Sequence, residues 1–308
     1  MPEARPDGAR LVLKVDVDTK VGLRDGVPRL LDFLAELGLQ ASFFISMGPD
    51  HSGRALKRLF RPGFLKKQLK SGAAGAYGPV TMMYGLLLPG PMIARSAPGM
   101  LNRCLNQGHE VGLHAWDHVF WHDYLRGLDP ERVAMELGQA FNLFYEITGF
   151  TPASFASPGW QITGDALLAL ESLGLSHVSC TRGASPFRPL VGGRALNLLE
   201  LPTTMPSLDE ALSLQGVDLQ CAAAYLAALV RPGLNVFTLH AEVEGRGQAA
   251  VFGEFCRILL DRGVTFPRLI DAARQEAPGA PAEEVVWGPI QGRAYEVAWQ
   301  ASAREPGP

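Results

Sequence analysis

Four times along the chain a helix-like run closes on a glycine and a short apolar run follows: "AELGLQASFFI", "LNQGHEVGL", "ESLGLSHVSC" and "LDRGVTF". Gly38, Gly108, Gly174 and Gly263 stand where a left-handed helix C-cap is wanted, so the pattern predicts alternating helices and strands with a mainly parallel sheet. "LVLKV" and "LNVFTL" look like further buried strands. This count fits a barrel better than an open sheet, and 308 residues suit such a barrel as one domain. The clearest helix is "LDPERVAMELGQAFNLFYEITG", with Asp129 as N-cap, Pro130 at the first position and an apolar stripe of Val133, Leu137, Phe141 and Phe144.

Composition narrows the class. Hydrophobic content of 47% and charged content of 19% describe a folded chain, and a net charge of −3 gives no reason to expect nucleic acid. Cys104, Cys180, Cys221 and Cys256 form no CxxC pair, so cysteine metal sites are not expected. The start "MPEARPDGARLVLKV" lacks the apolar stretch of a signal peptide, which favours a cytoplasmic, reducing location.

Charge is unevenly distributed. No acidic residue occurs between Asp50 and Glu110, while Arg54, Lys57, Arg58, Arg61, Lys66, Lys67 and Lys70 crowd the first part of that gap. The uncharged run Ser71–Ala94 follows. Pro79, Pro89 and Pro91 argue against a spanning helix, whose backbone must be satisfied internally. A loop or short helices at a bilayer surface, with the basic run Arg54–Lys70 toward anionic headgroups, is the preferred reading; a solvated basic helix before an ordinary insertion is the alternative. The expected organisation is a barrel over residues 1–276, an insertion at about 47–98, and a loosely attached C-terminal tail, 277–308, around the patch "VVWGPIQGRAYEVAW".

Barrels of this kind place chemistry in the loops that leave the C-terminal ends of the strands. The chemically loaded clusters here each follow a strand candidate: "DVD" after "LVLKV", "HAWDH" after "EVGL", "SPGW" after "ASFA", and "HAEVEG" after "NVFTL". Asp16 and Asp18 alternate along an extended segment, so both carboxylates can face one side, where they repel unless a cation or proton intervenes. An acidic pair at a strand end is the plainer alternative. His114 and His118, four apart, can be aimed at one ion by a helical turn or by a tight loop into a helix, and could equally be packed imidazoles. Two histidines and a carboxylate suit catalytic Zn²⁺ with a position left for water, and suit Mn, Fe or Co as well. His122 falls one turn further on, and reads as a surface or outer residue. His240 ends a strand, with Glu242 and Glu244 behind it, and is fitted by its ordinary pKa to act as a general acid.

Taken together, "DVD", "HAWDH" and "TLHAE" resemble the NodB-homology polysaccharide deacetylases, metal-dependent amide hydrolases on a distorted (β/α) barrel. The resemblance rests on these three motifs. It implies Asp16 as catalytic base, Asp18, His114 and His118 as ligands of a divalent metal (Zn, or Mn, Co, Ni or Fe), and His240 as the acid serving the leaving amine. The longer strings "DGVPRLLDFLAELGLQASFFISMGPD", "HEVGLHAWDH", "PFRPL" and "HAEVEG" resemble the branch that removes a formyl group from an aminosugar carried on undecaprenyl phosphate, in lipid A modification and polymyxin resistance. That second resemblance spans roughly Leu11 to Gln275. It implies a lipid-linked substrate and a peripheral place on the inner face of the bacterial inner membrane, met through Arg54–Ala94. A deacetylase of another glycan, and a non-catalytic glycolipid-binding protein, remain alternatives.

One departure matters. The wider family carries an arginine before the Pro of its third motif, where it orients the base; here Ala156 occupies that place in "FASPGW". Arg182 in "CTRG" or Arg188 in "PFRP" could substitute, or could hold a substrate phosphate. Trp160 and Trp116 are candidates for stacking on the sugar, and Glu242 for a further contact; each aromatic is equally well a core residue.

Overall fold

The structure, a computed structural model, describes residues 8–55, 78–291, 293 and 295–304. Seven parallel strands form one curved sheet in the order β8-β5-β4-β3-β2-β1-β9. They are β1 (Ala9–Val17), β2 (Ser42–Ile45), β3 (Glu110–Leu113), β4 (Ser154–Ala156), β5 (His177–Ser179), β8 (Leu199–Glu200) and β9 (Gly233–His240). Neighbours in sequence are mostly neighbours in space, as in a barrel wound strand by strand. The two ends meet just past β8, where the amides of Thr204 and Met205 both donate to the Val236 carbonyl of β9, 3.1 and 3.3 Å away. The result is the distorted (β/α) barrel expected from the sequence.

The helix stops behave as the glycines predict: Gly38, Gly108, Gly174 and Gly263 all have φ between 64° and 86°. Asp129 caps the helix Pro130–Thr148 by accepting from the Arg132 amide, and Val133, Leu137 and Phe144 bury its inner face. Two features differ from the pattern. "VTF" yields only a bridge from Thr265 to Arg10, because β2 takes that edge of β1 from Lys14 onward and leaves little to pair with. The expected tail carries structure of its own: β10 (Ala282–Gly288) and β11 (Val297–Gln300) join β6 (Arg188–Val191) and β7 (Arg194–Ala195) in a second sheet, ordered β11-β10-β6-β7. This sheet lies against the barrel rim, where the Arg182 amide donates to the Ala298 carbonyl at 2.8 Å.

Most of the basic run lies outside the described residues. No helix among the described residues is long and apolar enough to cross a membrane. The described part of the uncharged run holds one short 3-10 turn, Thr81–Met83, followed by the exposed side chains of Leu86, Leu87 and Leu88.

Candidate active site

Loops leaving the C-terminal ends of β1, β3, β4 and β9 enclose a cavity of about 160 Å³. Asp16, Asp18, His114, His118 and His240 all line it, as do Trp160 and His122. The register explains part of this convergence, because Asp16 on β1 lies opposite His240 on β9. His114 follows directly on β3, and the chain then turns through Ala115, whose φ of 64° is unusual for a residue with a side chain. Asp117 caps the next helix, His118–Tyr124, by accepting from the Phe120 amide at 3.0 Å. The spacing of four therefore works through a tight loop into a helix, rather than one turn of a helix.

His114 Nε2 lies 3.3 Å from Asp18 Oδ1, and His118 Nε2 lies 3.4 Å from Asp18 Oδ2. One ligand atom from each of Asp18, His114 and His118 lies within 4.8 Å of the other two, close enough to share a cation. Asp18 Oδ1 is buried without a hydrogen-bond partner among the described residues, which also fits. Burial would push the Asp18 carboxyl up, but the rings of His118, His114 and His240 outweigh it and hold it far below the usual range. A dication at this point would supply the same stabilisation.

Behind these donors sits Glu242, wholly buried. It accepts from the amides of Asp18 (3.0 Å) and Thr19 (2.9 Å) and from the Thr19 hydroxyl (2.7 Å), and so fixes the turn that carries Asp18. Gly22 makes room for it: a Cβ there would overlap Glu242 Oε1. Burial and the neighbouring Asp18 carboxylate push Glu242 up to about 8. Glu244, not Glu242, lines the cavity; it accepts from the His240 amide at 2.8 Å, and burial pushes it up to about 7. Burial opposes a charged His240 ring, yet Asp18, Glu244 and Asp16 together raise it above its ordinary value.

The other candidates are dispersed. Trp160 forms part of the wall, with its Nε1 donating to Thr203 Oγ1 at 3.0 Å and φ at 55°. Trp116 is half-buried and packs over Gly48 instead. Neither proposed arginine reaches Asp16. Arg182 pairs with Glu210 at 3.3 Å and stacks 5.0 Å from the Trp160 ring, while Arg188 donates to the carbonyls of Asn197 and Ala277 on the second sheet. The group that does reach Asp16 is Lys14, whose Nζ lies 2.9 Å from Oδ2. His122 is no surface residue: it is buried in the cavity wall, edge-on to Tyr295 with ring centroids 4.4 Å apart. Arg293, which donates to Glu210 at 2.7 Å, completes that wall together with Asp209. Sequence reasoning missed Arg293 and Tyr295 because nothing local links the last strands to the barrel mouth. Lys14 did leave a signal, as a charge inside an apolar strand two residues before Asp16.

The chain belongs to the polysaccharide deacetylase family, whose profile matches residues 5–178, and so to a class of hydrolases that act on amide-linked acyl groups. Within that family it is 36% identical over 291 residues, 94% of each chain, to a Shewanella sediminis (strain HAW-EB3) protein named probable 4-deoxy-4-formamido-L-arabinose-phosphoundecaprenol deformylase ArnD. A Wigglesworthia glossinidia brevipalpis protein of the same name is 30% identical, over 91% of this chain and 98% of that one. Among solved structures, a Mycobacterium smegmatis protein described as a polysaccharide deacetylase by assignment shares the fold with a TM-score of 0.64, 20% identity and coverage of 94% and 98%. Puue allantoinase shares it at 0.59, 16%, 89% and 92%.

Proposed function

We propose that the chain hydrolyses the formamide of 4-deoxy-4-formamido-L-arabinose carried on undecaprenyl phosphate, releasing formate and the free amine. The observation that carries this reading is the closure of Asp16, Asp18, His114, His118 and His240 around one cavity, in a chain so similar over its length to the named deformylases. Asp18, His114 and His118 would hold a divalent metal, with zinc the best match to one carboxylate and two imidazoles. Bound there, the cation supplies Lewis acidity to the amide carbonyl and acidity to the attacking water.

The rest is work for side chains. Asp16 takes the proton of the attacking water as the new C–O bond forms. His240, on the adjacent strand, gives a proton to the sugar nitrogen as the C–N bond breaks. Trp160 offers the sugar an apolar wall. The lipid would stay in the bilayer while the sugar reaches the cavity. Val80, Leu86, Leu87 and Leu88 are exposed together beside Arg54, and we assign this ridge to contact with an anionic membrane surface on the inner face of the inner membrane. The product would feed lipid A modification and so resistance to cationic peptides such as polymyxin.

Purified protein loaded with zinc and given the lipid-linked formamido sugar should yield a product lighter by CO, with formate released in equal amount. Loss of C2H2O from the acetamido sugar, with no action on the formamido one, would overturn the assignment.

A further inference from the structure

Lys14 is wholly buried at the heart of β1, the one lysine among the largest fully buried side chains of the described residues. Its partners are few. Nζ donates to Asp16 Oδ2 at 2.9 Å, approaches Thr238 Oγ1 at 3.4 Å, and stands 5.7 Å from the centroid of Trp160. Thr238 and Thr203 share a hydrogen bond at 2.9 Å, and Thr203 accepts from Trp160 Nε1 at 3.0 Å. An unbroken set of contacts therefore joins the Trp160 wall to the Asp16 carboxylate, and Lys14 is the member that touches the carboxylate. The second oxygen, Asp16 Oδ1, is buried with no hydrogen-bond partner among the described residues.

Such an arrangement is a poor device for stability. Desolvating an ammonium and a carboxylate is costly, and well-packed apolar side chains in the same place often do as well or better. What the pair does supply is direction. A carboxylate in a strand can turn about its terminal torsion, whose energy well is broad. A charge-assisted hydrogen bond to one oxygen narrows that freedom and leaves the other oxygen available. The strand alternation does the placing, since Lys14 and Asp16 are two apart on β1 and share a face.

We propose that Lys14 is the positioning residue for the catalytic carboxylate: it holds Asp16 by Oδ2, so that Oδ1 is the oxygen presented to the attacking water. The inference rests on the reading of Asp16 as base. Its place is one that neither Arg182 nor Arg188 occupies. On the β4 side, Ala156 offers only a backbone carbonyl, and His114 already uses it.

The test is a double-mutant cycle with zinc-loaded protein and a short-chain polyprenyl-phosphate-linked formamido sugar. The proteins are wild type, Lys14→Met, Lys14→Arg, Asp16→Asn and Lys14→Met/Asp16→Asn, each checked for zinc content and for cooperative thermal unfolding. Lys14→Met should keep one zinc, because it leaves Asp18, His114 and His118 untouched. Its kcat should fall by about 10²-fold with KM within about twofold, as for a reacting group misplaced by an ångström or so. Lys14→Arg should recover at least a tenth of the wild-type kcat. Adding Lys14→Met to Asp16→Asn should cost nothing further, because two residues acting as one unit are non-additive. Wild-type kcat in Lys14→Met overturns the proposal, and so does the same fractional loss in both backgrounds. Wild-type kcat in Asp16→Asn would instead sink the assignment of the base, whatever Lys14 does. Should Lys14→Met not fold, Lys14→Gln is read against the same criteria.

Discussion

His114 Nδ1 donates to the carbonyl of Ala156 across β3 and β4, at 2.8 Å. A carbonyl can only accept, so a proton sits on Nδ1, and Nε2 is the nitrogen turned toward Asp18. The backbone of β4 thus sets the tautomer of one imidazole of the proposed metal site. His114→Ala should reduce zinc affinity by at least the roughly 10–100-fold typical for loss of an outer-shell partner. Competition with a chromogenic chelator gives the ratio directly, and an unchanged affinity would exclude His114 as a ligand.

A close contact behind the site makes a second prediction. Gly22→Ala would drive a methyl into Glu242 Oε1, which holds the amides of Asp18 and Thr19. The expected cost is about 1–3 kcal/mol of stability, as for other overpacked interiors, together with weaker zinc binding. Chemical denaturation of the apo and zinc-loaded variants separates the two effects.

Glu110 predicts how the fold responds to acid. It accepts from Ser42 Oγ (2.7 Å), Ser154 Oγ (2.6 Å) and the Ile270 amide (2.8 Å), and lies 2.8 Å from His177 Nε2. Burial would raise its pKa, but His177 and the hydroxyls of Ser154 and Ser42 outweigh burial and lower it. A carboxyl depressed in the folded state contributes stability above its unfolded value of about 4.3, and loses it as pH falls through the folded value. Calorimetry from pH 7 to pH 3 should therefore show a steepening loss of Tm below about pH 4.3. Glu110→Ala should remove this component and cost about 3–5 kcal/mol at pH 7, as expected on breaking a buried, hydrogen-bonded pair.

Arg293 gives a prediction about substrate rather than metal. It lines the cavity from the second sheet's connection and hydrogen-bonds Glu210 and Tyr295. Arg293→Met should lower kcat/KM by roughly 10–100-fold, the value of a lost hydrogen bond to a charged group. Zinc content should not change. Loss of zinc would mean that the wall supports the metal donors themselves.

The exposed ridge is tested by Leu87→Glu. The Leu87 side chain is 78% exposed, so stability should stay within about 0.5 kcal/mol. Flotation with liposomes containing anionic lipid should drop. Equal flotation of both proteins would leave the ridge without a membrane role.

Much of this molecule is legible in its sequence, because local rules and global placement agree. Helices ending on Gly38, Gly108 and Gly174 launch strands as the pattern requires, and each reactive cluster follows its strand. Asp16 faces the cavity from β1, and Asp18, just past the end of that strand, joins it on the turn that Glu242 holds. Other features are settled only in three dimensions. A spacing of four between His114 and His118 fits a helix and a turn equally, and the positive φ of Ala115 decides between them. Glu242 and Glu244 look equivalent on the page, yet one lies beneath Asp18 and the other faces the cavity. Arg293 and Tyr295 reach the site through pairing between β10 and β6, nearly a hundred positions apart, which periodicity cannot reveal.

The wall built by residues at the far end of the chain has a consequence for the newborn protein. Asp18, His114 and His118 emerge from the ribosome early, and roughly 175 further residues separate His118 from Arg293. At roughly 5–20 residues per second that gap lasts on the order of ten to thirty-five seconds. During it the chain carrying Asp18, His114 and His118 waits both for Glu242, which holds the Asp18 turn, and for the side of the pocket that Arg293 and Tyr295 complete.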